Sequence, residues 1–146
     1  MYTLDANIFI RDASPNDPDH VVCHELMGRL YQHTITIIVP FLVLAEIAGA
    51  LSRTYHDPMR ARLEIDLLRA LQHITFVPLD ETLAQAAAAL AADRALRGAD
   101  AVYVAVAKRY NCVLVSLDRE QRERATPVVR SLTPAEALAE LDQPTL

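Results

Sequence analysis

Short apolar runs alternate with longer stretches of helical periodicity along the whole chain. The runs at Tyr2–Leu4, residues 36–39, Ile74–Val77 and residues 112–116 are too short for helices and rich in β-formers, so they predict strands. A weaker fifth run covers residues 127–130, and Pro127 at its start marks it as an edge strand. Helix starts are punctuated by Asp17-Pro18, Asp57-Pro58 and Thr133-Pro134, each a capping side chain before a proline at the first helical position. Thr133 and Glu136 add a capping box. Residues 83–96 are dominated by alanine and leucine and predict a tightly packed helix. Gly98 is expected to end it in a left-handed cap, and Asp100 to open the next helix, which runs to about Tyr110.

This alternation predicts right-handed crossovers and a doubly wound, three-layer α/β/α fold around a central, mainly parallel sheet of four to five strands. No linker, repeat or low-complexity spacer divides residues 1–146, so one domain is expected. Ligands of such folds bind beyond the carboxyl ends of the strands, where strand order reverses. Asp5 follows the first strand and Asp118 the fourth. Glu46 sits in the apolar helix Phe41-Leu42-Val43-Leu44-Ala45-Glu46-Ile47 that starts directly after the second strand, and Asp100 begins the helix leading into the fourth. Taken singly, Asp5, Asp100 and Asp118 also read as helix N-caps, and Glu46 as an exposed position on an amphipathic helix. Gathered at one sheet edge, each pair would repel by about 3 kcal/mol at 5 Å and an effective dielectric near 20. A hard oxygen donor set without histidine or cysteine suits Mg²⁺ or Mn²⁺, and that pairing points to hydrolysis of phosphodiester bonds.

Composition acts mainly by exclusion. The 14 basic and 19 acidic residues give a net charge of -5, so no global cationic field draws in nucleic acid, and a polyanion must be met locally or through a metal. Cys23 and Cys112 provide neither a disulfide framework nor a zinc knuckle and are expected to be buried and reduced. The opening Met1-Tyr2-Thr3-Leu4-Asp5 has no secretory character, and Pro40 and Glu46 interrupt the apolar stretch at residues 35–51. A cytoplasmic protein with no membrane association is expected. Three glycines, Gly28, Gly49 and Gly98, cannot form a P-loop or a dinucleotide fingerprint.

The motifs in this order resemble those of the PIN-domain family, especially the VapC-like toxins of toxin–antitoxin pairs. The resemblance runs from residue 1 to about 138. It rests on Asp5-Ala6-Asn7 after the first strand, Glu46 in its apolar helix, Asp100 ahead of Ala101-Val102-Tyr103-Val104-Ala105, and Asp118 two residues after Ser116. Leu132-Thr133-Pro134-Ala135-Glu136 is similar to the family's usual end. The chain departs from the family in having Gln121 where Phe is frequent and Ser116 where Thr is frequent. The resemblance implies a metal-dependent endoribonuclease, with Asp5, Glu46, Asp100 and Asp118 holding Mg²⁺ or Mn²⁺ and Asn7 and Ser116 as polar support. It further implies an RNA substrate, a small antitoxin partner and a homodimer. A PIN nuclease without antitoxin, or a silent PIN-like binding module, would share most of these features.

Other constellations are weaker. Asp5-Ala6-Asn7 lacks the second acid of an Asp-x-Asp phosphatase motif. His20 and His24 lie four apart on an expected helix with Cys23 between them, but no third metal ligand is evident. Glu120 reads as a solvated residue among Arg119, Arg122 and Arg124. All basic residues but Lys108 are arginines; Arg53, Arg60, Arg62 and Arg69 around the third helix, with those beyond the fourth strand, are candidates for phosphate contact or for pairing with Glu64 and Asp66.

Overall fold

Tyr2-Thr3-Leu4 forms a short buried strand, β1 (Tyr2–Leu4), and its burial on both faces is what a central parallel strand requires. The computed structural model describes residues 1–143. After β1 come α1 (Ala6–Asp12), α2 (His20–Gln32), β2 (Ile37–Pro40), α3 (Leu42–Tyr55), α4 (Pro58–Ala70) and β3 (Ile74–Val77). Then follow α5 (Glu81–Arg94), α6 (Gly98–Tyr110), β4 (Val113–Val115), α7 (Arg119–Ala125), β5 (Ser131–Leu132) and α8 (Pro134–Leu141). The strands form one parallel sheet in the order β3-β2-β1-β4-β5. The fold is the expected three-layer, doubly wound α/β/α arrangement. The chain builds outward from β1 to β3 and then returns to place β4 against β1, so the strand order reverses between β1 and β4. Helix α6 lies across β1, β2 and β4 and is buried from Ala101 to Ala107, while α5 packs on it.

Three local expectations need correction. The edge strand is Ser131–Leu132, paired with Leu114 and Val115, rather than residues 127–130. Residues 126–129 instead close α7 in a turn, with Val128 and Val129 both donating to the Ala125 carbonyl. Gly98 does not cap α5: Ala95 takes the left-handed conformation at φ 52°, and Gly98 is the first residue of α6. Asp17-Pro18 lies in a turn, with the Asp17 carboxylate accepting from Asp19 N, and α2 starts only at His20. The other two proline starts hold, with Asp57 accepting from Arg60 N and Thr133 closing its capping box with Glu136.

Both cysteines are buried and free. No helix among the described residues is long and apolar enough to cross a membrane.

Candidate active site

The reversal between β1 and β4 leaves a crevice, and the two chain segments leaving it are stitched together. Asp5 N donates to the Val115 carbonyl, and the Asp5 carboxylate caps α1 by accepting from Asn7 N at 3.2 Å. Asn7 spans the gap: its Nδ2 donates to Ser116 Oγ at 3.1 Å, and its Oδ1 accepts from Leu117 N at 3.2 Å. Ser116 Oγ also accepts from Asp118 N, and the Asp118 carboxylate caps α7 by accepting from Gln121 N at 3.1 Å. Asp5 and Asp118 are therefore both caps and crevice residues, so their two sequence-level readings are not alternatives. The bonds made by Asn7 and Ser116 are those of residues that fix the loops carrying the acids.

Glu46 enters from α3, half-buried, and accepts a 2.5 Å hydrogen bond from Tyr103 Oη on α6. Asp100 stands in the first turn of α6, where the helix dipole favours a negative charge, but it caps nothing: the N-cap is Arg97, which makes no side-chain cap bond. Burial lifts the Asp5 carboxyl to about 6; the Asn7 and Gln121 hydrogen bonds oppose this, while the charges of Glu46 and Asp100 add to it. The Asp100 carboxyl is also raised, first by burial, then by Asp118, with smaller upward pushes from Glu46 and Glu120 and a downward one from Arg97. The carboxylates of Asp5, Glu46 and Asp100 thus lie within electrostatic reach of one another, and Asp118 within reach of Asp100. Among the described residues, none of the four forms a salt bridge.

The residues fit a divalent cation in kind. Four oxygen-donor carboxylates with no cationic partner are a set that Mg²⁺ or Mn²⁺ could neutralise by direct contact with one or two of them and through waters with the rest. They are not a ready cage: among the described residues, no group of three or more His, Cys, Asp or Glu side chains is gathered to hold an ion as it stands. That includes His20 and His24, whose rings stack at 5.2 Å and whose Nδ1 atoms pair with the Arg11 carbonyl and Asp12. Glu120 forms an ion pair with Arg124 on the outer face of α7.

A family model described as PIN domain matches residues 2–127. The chain belongs to the PIN-domain family. No curated protein sequence matches it. Similar solved structures include VapBC2 from Rickettsia felis bound to a DNA fragment from its promoter, at 15% identity and TM-score 0.69, covering 90% of this chain and 97% of that one. A toxin–antitoxin complex from Klebsiella pneumoniae matches at 17% identity and TM-score 0.66, covering 92% and 98%. VapC20 from Mycobacterium tuberculosis, a sarcin–ricin loop cleaving toxin, matches at 16% identity and TM-score 0.70, covering 83% and 92%.

Two residues of this PIN domain's crevice escaped the sequence reading. Gln121, noted only as a departure from the family's usual Phe, is 1% exposed and donates from Nε2 to Asp5 Oδ1 at 3.2 Å, while its Oε1 has no partner among the described residues. Tyr103 looked like one more apolar residue of α6. The available signal was spacing, since Tyr103 lies three residues after Asp100 and so on the same helix face. Partners of this kind that orient a ligating carboxylate typically contribute about 10- to 100-fold to metal affinity or activity. Tyr103→Phe is therefore expected to weaken Mn²⁺ binding by about that factor, measured by titration calorimetry. Unchanged affinity would mean that the Tyr103 bond merely fills a gap in the core.

Proposed function

We propose that this protein is a divalent-metal-dependent endoribonuclease acting as the toxin of a toxin–antitoxin pair. The observation that carries the reading is the set of four carboxylates, Asp5, Glu46, Asp100 and Asp118, near the strand reversal of a PIN domain with no salt bridge to any of them among the described residues. Crowding of this kind is unfavourable in a resting protein and is retained where a cation and a phosphate complete the site. The ion, when bound, would supply Lewis acidity to the scissile phosphate and a water of lowered pKa. The protein's own part is to hold the acids still. Asn7 and Ser116 lock the two loops together, Tyr103 fixes Glu46, and Gln121 fixes Asp5.

Purified protein is expected to cut single-stranded or looped RNA with Mg²⁺ or Mn²⁺, to stop in EDTA, and to resume when Mn²⁺ is restored in excess. EDTA-resistant cleavage would overturn the metal assignment.

The toxin reading, rather than a partnerless PIN nuclease, is supported by an uncovered apolar surface. Met59, Leu63 and Leu67 recur every fourth residue along α4 and are 71%, 58% and 56% exposed. Leu67 borders a groove of about 160 Å³ walled by Phe9, Met27, Ile47 and Leu68, with Asp12 and Glu64 among its lining residues. Apolar residues gathered in one exposed stripe mark interaction sites more than residues scattered singly. The proposed occupant is an apolar C-terminal segment of a small antitoxin, in line with the toxin–antitoxin complex among the similar structures. The same reading includes a homodimer, which sedimentation of the purified protein checks.

A further inference from the structure

An RNA backbone crossing the acidic crevice needs cations beside it, and most candidate arginines are already engaged. Arg60 lies 3.5 Å over the Tyr55 ring and donates to the Ala13 carbonyl. Arg119 and Arg124 pair with glutamates on α7, and Arg122 donates to the Ser116 carbonyl. Arg53 is different. It is exposed, and no salt bridge or hydrogen bond joins its guanidinium to another described residue.

Its position is specific. Arg53 follows Glu46 by seven residues, so the two share a face of α3 two turns apart. Between α1 and α3 runs a cleft of about 210 Å³ lined by Asn7, Ile10, Arg11, Ala50, Arg53 and Thr54. Asn7 belongs to the crevice, so this cleft is its continuation along α1. Gly49 accounts for the conformation of Arg53. A Cβ on Gly49 would stand 3.0 Å from Arg53 Nη1 and 3.9 Å from Cζ, so the missing side chain leaves room for the guanidinium to fold back along α3 toward Glu46. Arg11, on the facing helix, is tethered to Asp17 at 3.0 Å and keeps a buried Nε with no partner among the described residues.

We propose that this α1–α3 cleft is a phosphate subsite for the RNA backbone flanking the scissile bond, with Arg53 as its principal contact and Arg11 as a second cation. The proposal rests on the nuclease reading and deepens it. Arginine's planar fork suits two phosphate oxygens at once, and a guanidinium already folded into place loses less freedom on binding.

The test uses a fluorescent single-stranded oligoribonucleotide, with anisotropy read in EDTA over a range of salt and cleavage kinetics read in Mn²⁺. Arg53→Ala is expected to weaken binding at low salt by about five- to tenfold. It should also flatten the plot of log K against log salt by about 0.7, the share of one phosphate contact on a single strand. In Mn²⁺, KM should rise by a similar factor while kcat stays within about twofold, the pattern of lost uniform binding. Arg53→Lys should recover part of the loss, and Arg69→Ala, on the exposed face of α4, none of these changes. Gly49→Ala, which puts a methyl group where the guanidinium rests, should melt no lower than wild type yet bind more weakly. Wild-type affinity and salt slope in Arg53→Ala, or no RNA binding by the wild type in EDTA, would overturn the subsite. Salt-dependent binding that needs Arg53, from a protein that cuts no RNA in Mg²⁺ or Mn²⁺, would keep the subsite and overturn the nuclease reading.

Discussion

Asp5→Asn is expected to melt higher than wild type in EDTA at neutral pH and to lose RNA cleavage. Asp5 is 8% exposed, has no cationic partner among the described residues, and carries a carboxyl lifted to about 6, chiefly by burial. The folded protein therefore holds this proton more tightly than the unfolded chain, whose carboxyl titrates near 4. The contribution of Asp5 to stability falls as pH rises from about 4 to about 6 and is flat above that, where it amounts to a penalty of about 3 kcal/mol. Asparagine removes the charge at nearly constant shape and still accepts from Asn7 N. Its amide can also donate to Gln121 Oε1, which now lacks a partner, after a flip of the Gln121 amide. A gain of about 2 to 3 kcal/mol, or roughly 5 to 10 °C, should follow in EDTA. Manganese should reverse the order, since a site filled at 100 times its Kd stabilises the wild type by about 2.7 kcal/mol and the variant by less. Cleavage should fall by more than the roughly 100-fold that marks loss of an outer partner. A variant that melts below wild type in EDTA, with both responding equally to Mn²⁺, would show Asp5 to be a helix cap and no ligand.

The elements of this site were legible where one local rule acts alone. The first four strands and the positions of Asp5, Glu46, Asp100 and Asp118 relative to them follow from apolar runs and the geometry of doubly wound sheets. Boundaries failed where two rules compete. Gly98 looked like a C-cap because glycine tolerates positive φ, but Ala95 accepts that conformation and α5 ends three residues earlier. Val128 and Val129 looked like a strand after Pro127, yet that segment closes α7 and the sheet edge is completed by Ser131 and Leu132. What the sequence could not display is pairing across the fold. Tyr103 and Glu46 are 57 positions apart, and Gln121 and Asp5 are 116 apart, so no local pattern links them. Gly49 shows the same limit. A glycine inside a helix costs about 0.5 to 1 kcal/mol against alanine, and only the folded position of Arg53 supplies a reason for it.

Paired replacement of Leu63 and Leu67 by glutamine is expected to uncouple the protein from the proposed antitoxin while leaving the fold and the proposed RNA cleavage intact. Both leucines lie on the outer face of α4 and are more than half exposed, so the free protein gains little from them, and glutamine is an equally good helix former. In the complex the balance differs. Covering a leucine fully contributes about 1.5 to 3 kcal/mol, so losing two should weaken the complex by at least about a hundredfold. The groove beside them is also acidic. Burial raises the carboxyls of Asp12 and Glu64, and the charge of Asp12 pushes Glu64 further up, while the His24 bond to Asp12 and the charge of Arg60 near Glu64 oppose this, so a lysine or arginine from the partner would add to a partly compensated acidic pair. Neither leucine touches the carboxylates at the strand reversal, so Mn²⁺-dependent cleavage by the variant should match wild type. Co-expression with each small protein encoded next to its gene reads both effects together: beside the proposed antitoxin, wild type is expected to be neutralised and to co-purify, whereas the variant arrests growth and elutes alone. If the double variant still co-purifies, or wild type stays toxic beside every small neighbour, α4 is not the antitoxin surface.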